Sequence, residues 1–580
     1  MADLIPRPKV LDLAPGSYEF TPRDAVSGPA DLVDAVRLAL PVLDLGRDET
    51  GPGQSDTGLT RGAAGLTRGA AGLAGGGTAP GGAQTGRQAT ISVEPDPSLG
   101  PESYAVSVAP EAVRITAGGA AGALYAGQTL RQLLPADAFR SAPLPGARWT
   151  VPCGRVEDAP RFSWRGAHLD VSRHFMPKRE VLRLIDLLAV HKLNRLHLHL
   201  VDDQGWRVES RAYPLLHEIG SHRARTTTKH FHGETEHDDT PHGGFYTLAD
   251  LSEMAAYARA RAVTIVPEID VPGHASAILA AYPHLGADPA RRHGVLDRWG
   301  ISPAILSPLP GTTDFLATVF AEIIEALGPV PYFHIGGDEC VLDAWAASAG
   351  IEAHRESLGL ATPGDLHAWF LRGLADVLAG LGSRAVVWDE AFVSGMLRED
   401  TIVMPWRGVE VGRRAAAAGH DIVATSVFPL YFDYAEAASP EEPVAIGDTI
   451  TVEDVAAFEP VPASWTPEEA GRVLGAQFQL WTERIPDGRT LDYRAWPRGC
   501  ALAQLTWSGG SEGFAGALPA HLARLDAYGV EYRPPAGPRP WQRGGTGARR
   551  HRPGAVPVAE VMRRLEELTH AADSTRPSLG

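Results

Sequence analysis

The strongest constraint on this chain is an alternation that starts near residue 166. Short apolar runs recur at Gly166–Val171, Arg195–Val201, Val263–Ile269, Tyr332–Ile335, Ala385–Trp388, Ile402–Trp406, Ile422–Ser426 and Ala476–Trp481. Each has the length of a buried strand, and helical patterns separate most of them. Arg179–His191 is the clearest helix, with Val181, Leu184, Ile185 and Leu188 along one face. Strands alternating with helices in this way fold as a parallel sheet. Eight of them over about 350 residues predict an α/β fold built on a closed (β/α)8 TIM barrel.

The ends of these runs carry the chemistry. Arg165 flanks the first run, Asp202 and Asp203 end the second, and Glu268 and Asp270 end the third. The fourth breaks at Gly336-Gly337 and continues as Asp338-Glu339. Trp388-Asp389-Glu390, Trp406 and Trp481-Thr482-Glu483 end the fifth, sixth and eighth. Barrel enzymes place their reacting groups at this C-terminal rim. Tryptophan faces stack on the apolar side of a pyranose and carboxylates accept its hydroxyls, so the pattern describes a sugar pocket. The adjacent pair Asp338-Glu339 is costly to bury unpaired, so it reads either as an ion-paired loop or as two carboxylates aimed at one substrate.

The remaining sequence bounds the organisation. At 580 residues the chain is long enough for two or three domains. The boundaries expected are 1–158 for a small N-terminal α/β domain, 159–538 for the barrel, and 539–580 for a linker and C-terminal helix. In the first domain, strands are expected at Gln88–Glu94, Ser103–Val108 and Val113–Thr116, with a helix over Ala121–Leu134. Residues 46–89 are Gly/Ala-rich and repeat Gly-Leu-Thr-Arg-Gly-Ala-Ala, which reads as a flexible insertion. A last helix is expected over Val556–Ala571.

A net charge of −17 argues against nucleic acid or an anionic membrane as partner. No run of 18 apolar residues suggests a membrane span. The first residues lack the apolar run of a signal peptide, so a cytoplasmic protein is expected, or a secreted one if the N-terminus has been trimmed. The three cysteines, Cys153, Cys340 and Cys500, are an odd count and lack metal-ligand spacing. His197 and His199 point the same way along a strand, which also suits a metal-dependent barrel hydrolase. Hydrogen-bonded core histidines are the preferred reading.

Six motifs, in order, carry a resemblance. They are Arg165–His174 (RGAHLDVSRH), His197–Arg207 (HLHLVDDQGWR), Pro267–His274 (PEIDVPGH), His334–Glu339 (HIGGDE), Tyr431-Phe432-Asp433 and Trp481-Thr482-Glu483. Together they resemble glycoside hydrolase family 20, the β-N-acetylhexosaminidases. The resemblance implies an exo-acting hydrolase that removes terminal β-linked N-acetylglucosamine, with N-acetylgalactosamine left open, and uses no cofactor or metal. It also implies substrate-assisted retention, in which the substrate's 2-acetamido oxygen is the nucleophile. Glu339 would then be the general acid, Asp338 would orient the acetamido group, and Tyr431 would donate to its oxygen. Trp388, Trp406 and Trp481 would wall the pocket. Arg165, Asp433 and Glu483 would bind the non-reducing-end hydroxyls, and Asp202 and His274 would sit beside the acid. The partner implied is an oligosaccharide or glycoconjugate. Ala435–Glu459 contains no tryptophan where the family has a further pocket wall. The alternatives are the metal-dependent hydrolase and an inactive carbohydrate-binding protein.

Overall fold

The structure, a computed structural model, describes residues 3–21, 24–43, 90–228, 236–543, 559–560 and 562–563. The Gly/Ala-rich insertion, and the expected C-terminal helix apart from those last four residues, lie outside the described residues.

All eight expected strands are present, and they close into one parallel barrel. Barrel strands 1 to 8 are Trp164–Asp170, Arg195–His199, Thr264–Glu268, Tyr332–His334, Arg384–Trp388, Ile402–Met404, Ile422–Ala424 and Val473–Leu480. Strand 8 pairs with strand 1 from Gly475↔Trp164 to Leu480↔Leu169, which completes the circle. Strand 1 is buried at every position. A barrel strand has side chains inside the barrel and helices outside it, so a run without polar alternation is what this site requires. The helix Lys178–Val190 turns Val181, Leu184, Ile185 and Leu188 onto the barrel.

The N-terminal domain is a six-stranded sheet. Its order is Val10–Phe20, Trp149–Asp158, Tyr104–Ala109, Ala112–Ala117, Thr90–Pro95, Ala25–Ser27. Three of these strands match the expected ones. Val10–Phe20, Trp149–Asp158 and the three-residue Ala25–Ser27 were not expected; local breakers hide the first two. Pro15-Gly16 interrupts the first where the register shifts between Ala14 and Ser17, and Pro152 and Gly154 interrupt the second. Trp149–Asp158 nevertheless alternates buried and partly buried positions along most of its length. The helices Ala30–Ala39 and Ala120–Leu133 pack closely where a side chain on Gly127 would come within 2.7 Å of the Ala39 methyl.

Arg165 requires a correction. It stands near the start of barrel strand 1, not at its end. About five residues at roughly 3.3 Å each separate it from the rim. Its side chain is 0% exposed and donates to both carboxylate oxygens of Glu102, at 2.6 and 3.1 Å, and to the backbone oxygens of Lys192 and Phe162. Glu102 belongs to the small domain. Beside this pair, the Lys192 ammonium meets Asp158 and the Tyr104 hydroxyl, both at 2.7 Å. Arg165 therefore fastens the small domain to the N-terminal end of the barrel and does not bind substrate.

No helix among the described residues is long and apolar enough to cross a membrane. Replacing Arg165 with Met should strand Glu102 and cost about 3 kcal/mol of stability. Denaturant unfolding would show this as a lower midpoint, with KM of the folded enzyme unchanged. A raised KM at unchanged stability would contradict the assignment.

Candidate active site

Glu268, at the end of strand 3, is fully buried under the rim and takes contacts from three strands. Its Oε2 lies 2.5 Å from His199 Nδ1 and 3.1 Å from His197 Nε2. Its Oε1 lies 2.7 Å from His334 Nδ1 and accepts the Trp388 indole N–H at 2.9 Å. Burial opposes ionisation, but the imidazoles of His334, His199 and His197 outweigh it and hold the carboxyl well below its ordinary range. Both ring nitrogens of His199 are occupied, one by Glu268 and the other by Asp202 Oδ2 at 2.9 Å. Both members of the H-x-H pair thus meet one carboxylate.

From Glu268 a chain of alternating imidazoles and carboxylates runs to the rim. Asp202 contacts His199 through Oδ2 and His274 Nδ1 through Oδ1 at 3.2 Å, and its Oδ2 pairs with Arg173 at 2.7 Å. His274 then presents Nε2 to Glu339 Oε2 at 3.7 Å and to Asp338 Oδ2 at 3.8 Å. Burial works against charge on His274, yet Asp202 and Asp270 raise its pKa well above the ordinary value. The imidazolium therefore faces both rim carboxyls.

The turn that carries those carboxyls is conformationally demanding. Gly336 has φ +66°, and a side chain there would collide with Asp270 Oδ1, while Glu339 itself sits at φ +50°. The Gly337 N–H donates to Asp270 Oδ1 at 3.1 Å, which ties the turn to strand 3. Burial pushes the Glu339 carboxyl up to about 7, with the His274 cation opposing and the Asp338 charge assisting. Burial and then the charge of Asp270 raise Asp338 well above the carboxylate range, and burial raises Asp270 to about 7. Carboxylate oxygens of Asp270 and Asp338 lie within 4.8 Å of each other, close enough for one charge to disfavour the other.

The walls come from the later strands. Trp388 is buried with its ring against His334, at a centroid distance of 4.6 Å, and against Trp481 at 6.0 Å. Trp481 is partly exposed, lies 6.2 Å from the Tyr431 ring, and has the Arg173 guanidinium 4.9 Å from its centroid. Burial, followed by the charge of Asp338, raises the Tyr431 phenol well above its ordinary value, so it remains a donor. Trp406 ends the wall at strand 6. Burial raises both Asp433 and Glu483, with the charge of Glu483 assisting at Asp433 and the Arg173 guanidinium opposing at Glu483.

Several buried polar atoms here have no hydrogen-bond partner: Asp338 Oδ1, Asp433 Oδ1, Glu483 Oε2, Trp406 Nε1 and His274 Nε2. Each such atom costs about 1–3 kcal/mol unless something meets it. Several of them on one barrel rim form a set of donors and acceptors suited to a ligand with hydroxyls and an amide. All the expected site residues except Arg165 lie on this rim. The guanidinium that does reach the pocket is Arg173, three residues beyond strand 1, which also bonds Gln204 and Asp170. It stands inside the Arg165–His174 motif, and its place after the strand rather than before it was the available signal. Glu268, His199 and Asp270 also carry the site without having been assigned to it.

A closed parallel barrel with this carboxyl pair, these tryptophans and an indole-lined floor defines a glycoside hydrolase. Models of glycosyl hydrolase family 20 match it twice, the catalytic domain over residues 162–510 and domain 2 over residues 2–159. The chain belongs to glycosyl hydrolase family 20. It is 35% identical over 505 residues to a β-hexosaminidase of Porphyromonas gingivalis, covering 85% of this chain but 62% of that protein. It is 32% identical to a β-N-acetylhexosaminidase of Cellulomonas fimi, covering 76% of this chain and 82% of that one. A family 20 exo-β-N-acetylglucosaminidase of Vibrio harveyi, solved in complex with N-acetylglucosamine, superposes with a TM-score of 0.75 at 31% identity, over 92% of this chain and 78% of that one.

Removing the central carboxylate with Glu268→Ala should leave His199 Nδ1 buried without its acceptor, with Asp202 alone to balance the imidazolium. The expected cost is about 3–5 kcal/mol in denaturant unfolding. A change below about 1 kcal/mol would show that the cluster is not held by this charge.

Proposed function

We propose that the chain is an exo-acting β-N-acetylhexosaminidase that removes terminal, non-reducing, β-linked N-acetylglucosamine with retention of configuration. The observation that carries this reading is the placement of Asp338 and Glu339. They issue from one turn and face one nitrogen, His274 Nε2, at 3.8 and 3.7 Å. The usual retaining scheme needs two carboxyls flanking the scissile bond, about 5 Å apart. Neighbours on a single turn suit the scheme in which the substrate supplies the nucleophile.

In that scheme the acetamido carbonyl oxygen attacks the anomeric carbon as the glycosidic C–O bond breaks. Glu339, held protonated near neutrality by burial, gives its proton to the departing oxygen. Asp338 accepts the acetamido N–H through its unpartnered Oδ1. Positive charge grows on that nitrogen as the oxazolinium ion forms, which favours the ionised form of Asp338 within the pair it makes with Asp270. Tyr431 donates to the acetamido oxygen and aims it. Water then attacks the anomeric carbon, Glu339 takes its proton, and the ring C–O bond opens to return the acetamide. Trp388, Trp406 and Trp481 enclose the sugar. Asp433, Glu483 and Arg173 grip its hydroxyls by charge-assisted hydrogen bonds.

Glu339→Gln should abolish most turnover of substrates with poor leaving groups and cost less on dinitrophenyl glycosides, whose departure needs no proton although the attacking water still loses its base. Asp338→Asn should lower kcat by about 10²–10³-fold on both and weaken binding of an N-acetylglucosamine thiazoline. Equal rates for Asp338→Asn and the parent enzyme would overturn the reading. Parallel assays of nitrophenyl β-glycosides of N-acetylglucosamine and N-acetylgalactosamine fix the sugar preference.

The pH profile has a defined sign. The acid must be protonated, so log kcat/KM should fall as pH rises through about 7. His274 is a cation that favours the Glu339 carboxylate, so His274→Asn should move that limb to higher pH. A shift to lower pH would contradict the assigned charge.

A further inference from the structure

Tyr431 and Asp433 flank Phe432, and the structure holds Phe432 unusually firmly. The Phe432 N–H donates to the Gln479 carbonyl of strand 8 at 2.8 Å. Its ring is fully buried, stacked on Phe478 at 4.7 Å with an 11° interplanar angle. Its carbonyl accepts from Arg498 Nη2 at 2.6 Å, and the same guanidinium lies 4.6 Å from the ring centroid. Phe432 and Asp433 are the two central residues of a turn, which the Tyr434 N–H spans back to the Tyr431 carbonyl at 3.5 Å, so Phe432 is joined directly to both pocket residues in one tight unit. Fixing Phe432 therefore fixes the direction of both pocket residues.

Arg498 begins the helix Arg498–Ser508 and is 0% exposed. It also donates to the carbonyls of Tyr434, Ile450 and Arg494, at 3.1, 3.1 and 3.0 Å. Its nearest counter-charge is Glu436 Oε2, 3.6 Å from Nε. Burial lowers its pKa to about 10, so it stays protonated at neutral pH. Arg494, in the preceding helix Gly488–Ala495, holds the outer part of the same loop through the carbonyls of Tyr434, Pro443 and Val444. This is the loop that lacks a tryptophan between Ala435 and Glu459. It is braced from behind by guanidiniums bonded to backbone.

We propose that Arg498 is a positioning residue of the pocket: by clamping the carbonyl and ring of Phe432 it sets the angle at which Tyr431 and Asp433 meet the sugar. The inference rests on the sugar-binding roles proposed above for those two residues. Lysine has one point of donation where arginine has a planar fork, so it cannot reproduce the clamp.

The test measures thiazoline affinity by calorimetry, together with KM and kcat on a nitrophenyl glycoside, normalised to folded protein. Arg498→Lys should weaken thiazoline binding and raise KM about tenfold, the order expected when binding groups shift by a fraction of an ångström. Arg494→Lys loses a comparable set of buried carbonyl bonds without touching Phe432, and should change both by less than about twofold. Equal losses in the two variants would reduce Arg498 to a stability role and overturn the proposal. The second arm repeats Arg498→Lys in a Tyr431→Phe/Asp433→Asn background, where it should add less than about twofold. A full tenfold loss persisting there would also overturn it. If the lysine variant does not fold, Arg498→Gln, which keeps a single donor, takes its place in both arms. A parent enzyme that neither binds thiazoline nor cleaves the glycoside would instead refute the proposed function, a result distinct from either outcome.

Discussion

One buried carboxylate organises this protein. Glu268 sits beneath the rim with histidines from strands 2 and 4 and the indole of strand 5 turned toward it. An isolated carboxylate at this depth would be very costly. Here the cost is offset by charge on His199 and by the Trp388 indole N–H, and the arrangement has two consequences for the pocket. It fixes the indole of Trp388, which forms the floor. It also anchors the chain His199–Asp202–His274 that ends on the two rim carboxyls. The wall proposed to enclose the sugar and the cation that faces the proposed acid thus share one origin.

The two rim carboxyls are then differentiated by their neighbours. Asp338 shares its charge problem with Asp270, while Glu339 faces His274 and keeps partial exposure. One is suited to accept and stabilise charge, and the other to hold a proton and release it. Adjacency on a single turn, which would be a defect in a two-carboxylate glycosidase, suits a site whose nucleophile arrives with the substrate.

Much of this was legible in the sequence because barrel geometry writes its chemistry at strand ends. Short apolar runs stop at Asp202, Glu268, Asp338, Trp388, Trp406 and Trp481, so strand and site could be located together. What was not legible was position along a strand and partnership across the fold. Arg165 and Arg173 stand in one motif, but the first lies at the start of strand 1 and the second follows its end, and the strand's length separates bottom from rim. The small domain's strand Val10–Phe20 was hidden by Pro15-Gly16, because register is repaired by its partner and not by local pattern. The grip of Arg498 on Phe432 joins residues 66 apart in sequence, and nothing local to either announces it.

The central claim is that the acetamido oxygen of the substrate is the nucleophile. It is tested most directly by a series of aryl β-glycosides bearing acetamido, fluoroacetamido, difluoroacetamido and trifluoroacetamido groups at C2. Fluorine withdraws electron density from the carbonyl oxygen and scarcely changes its shape. The account predicts that log kcat/KM falls steeply and monotonically along the series. Rates that are flat across the four substrates would contradict it and return the nucleophile to a side chain of the protein.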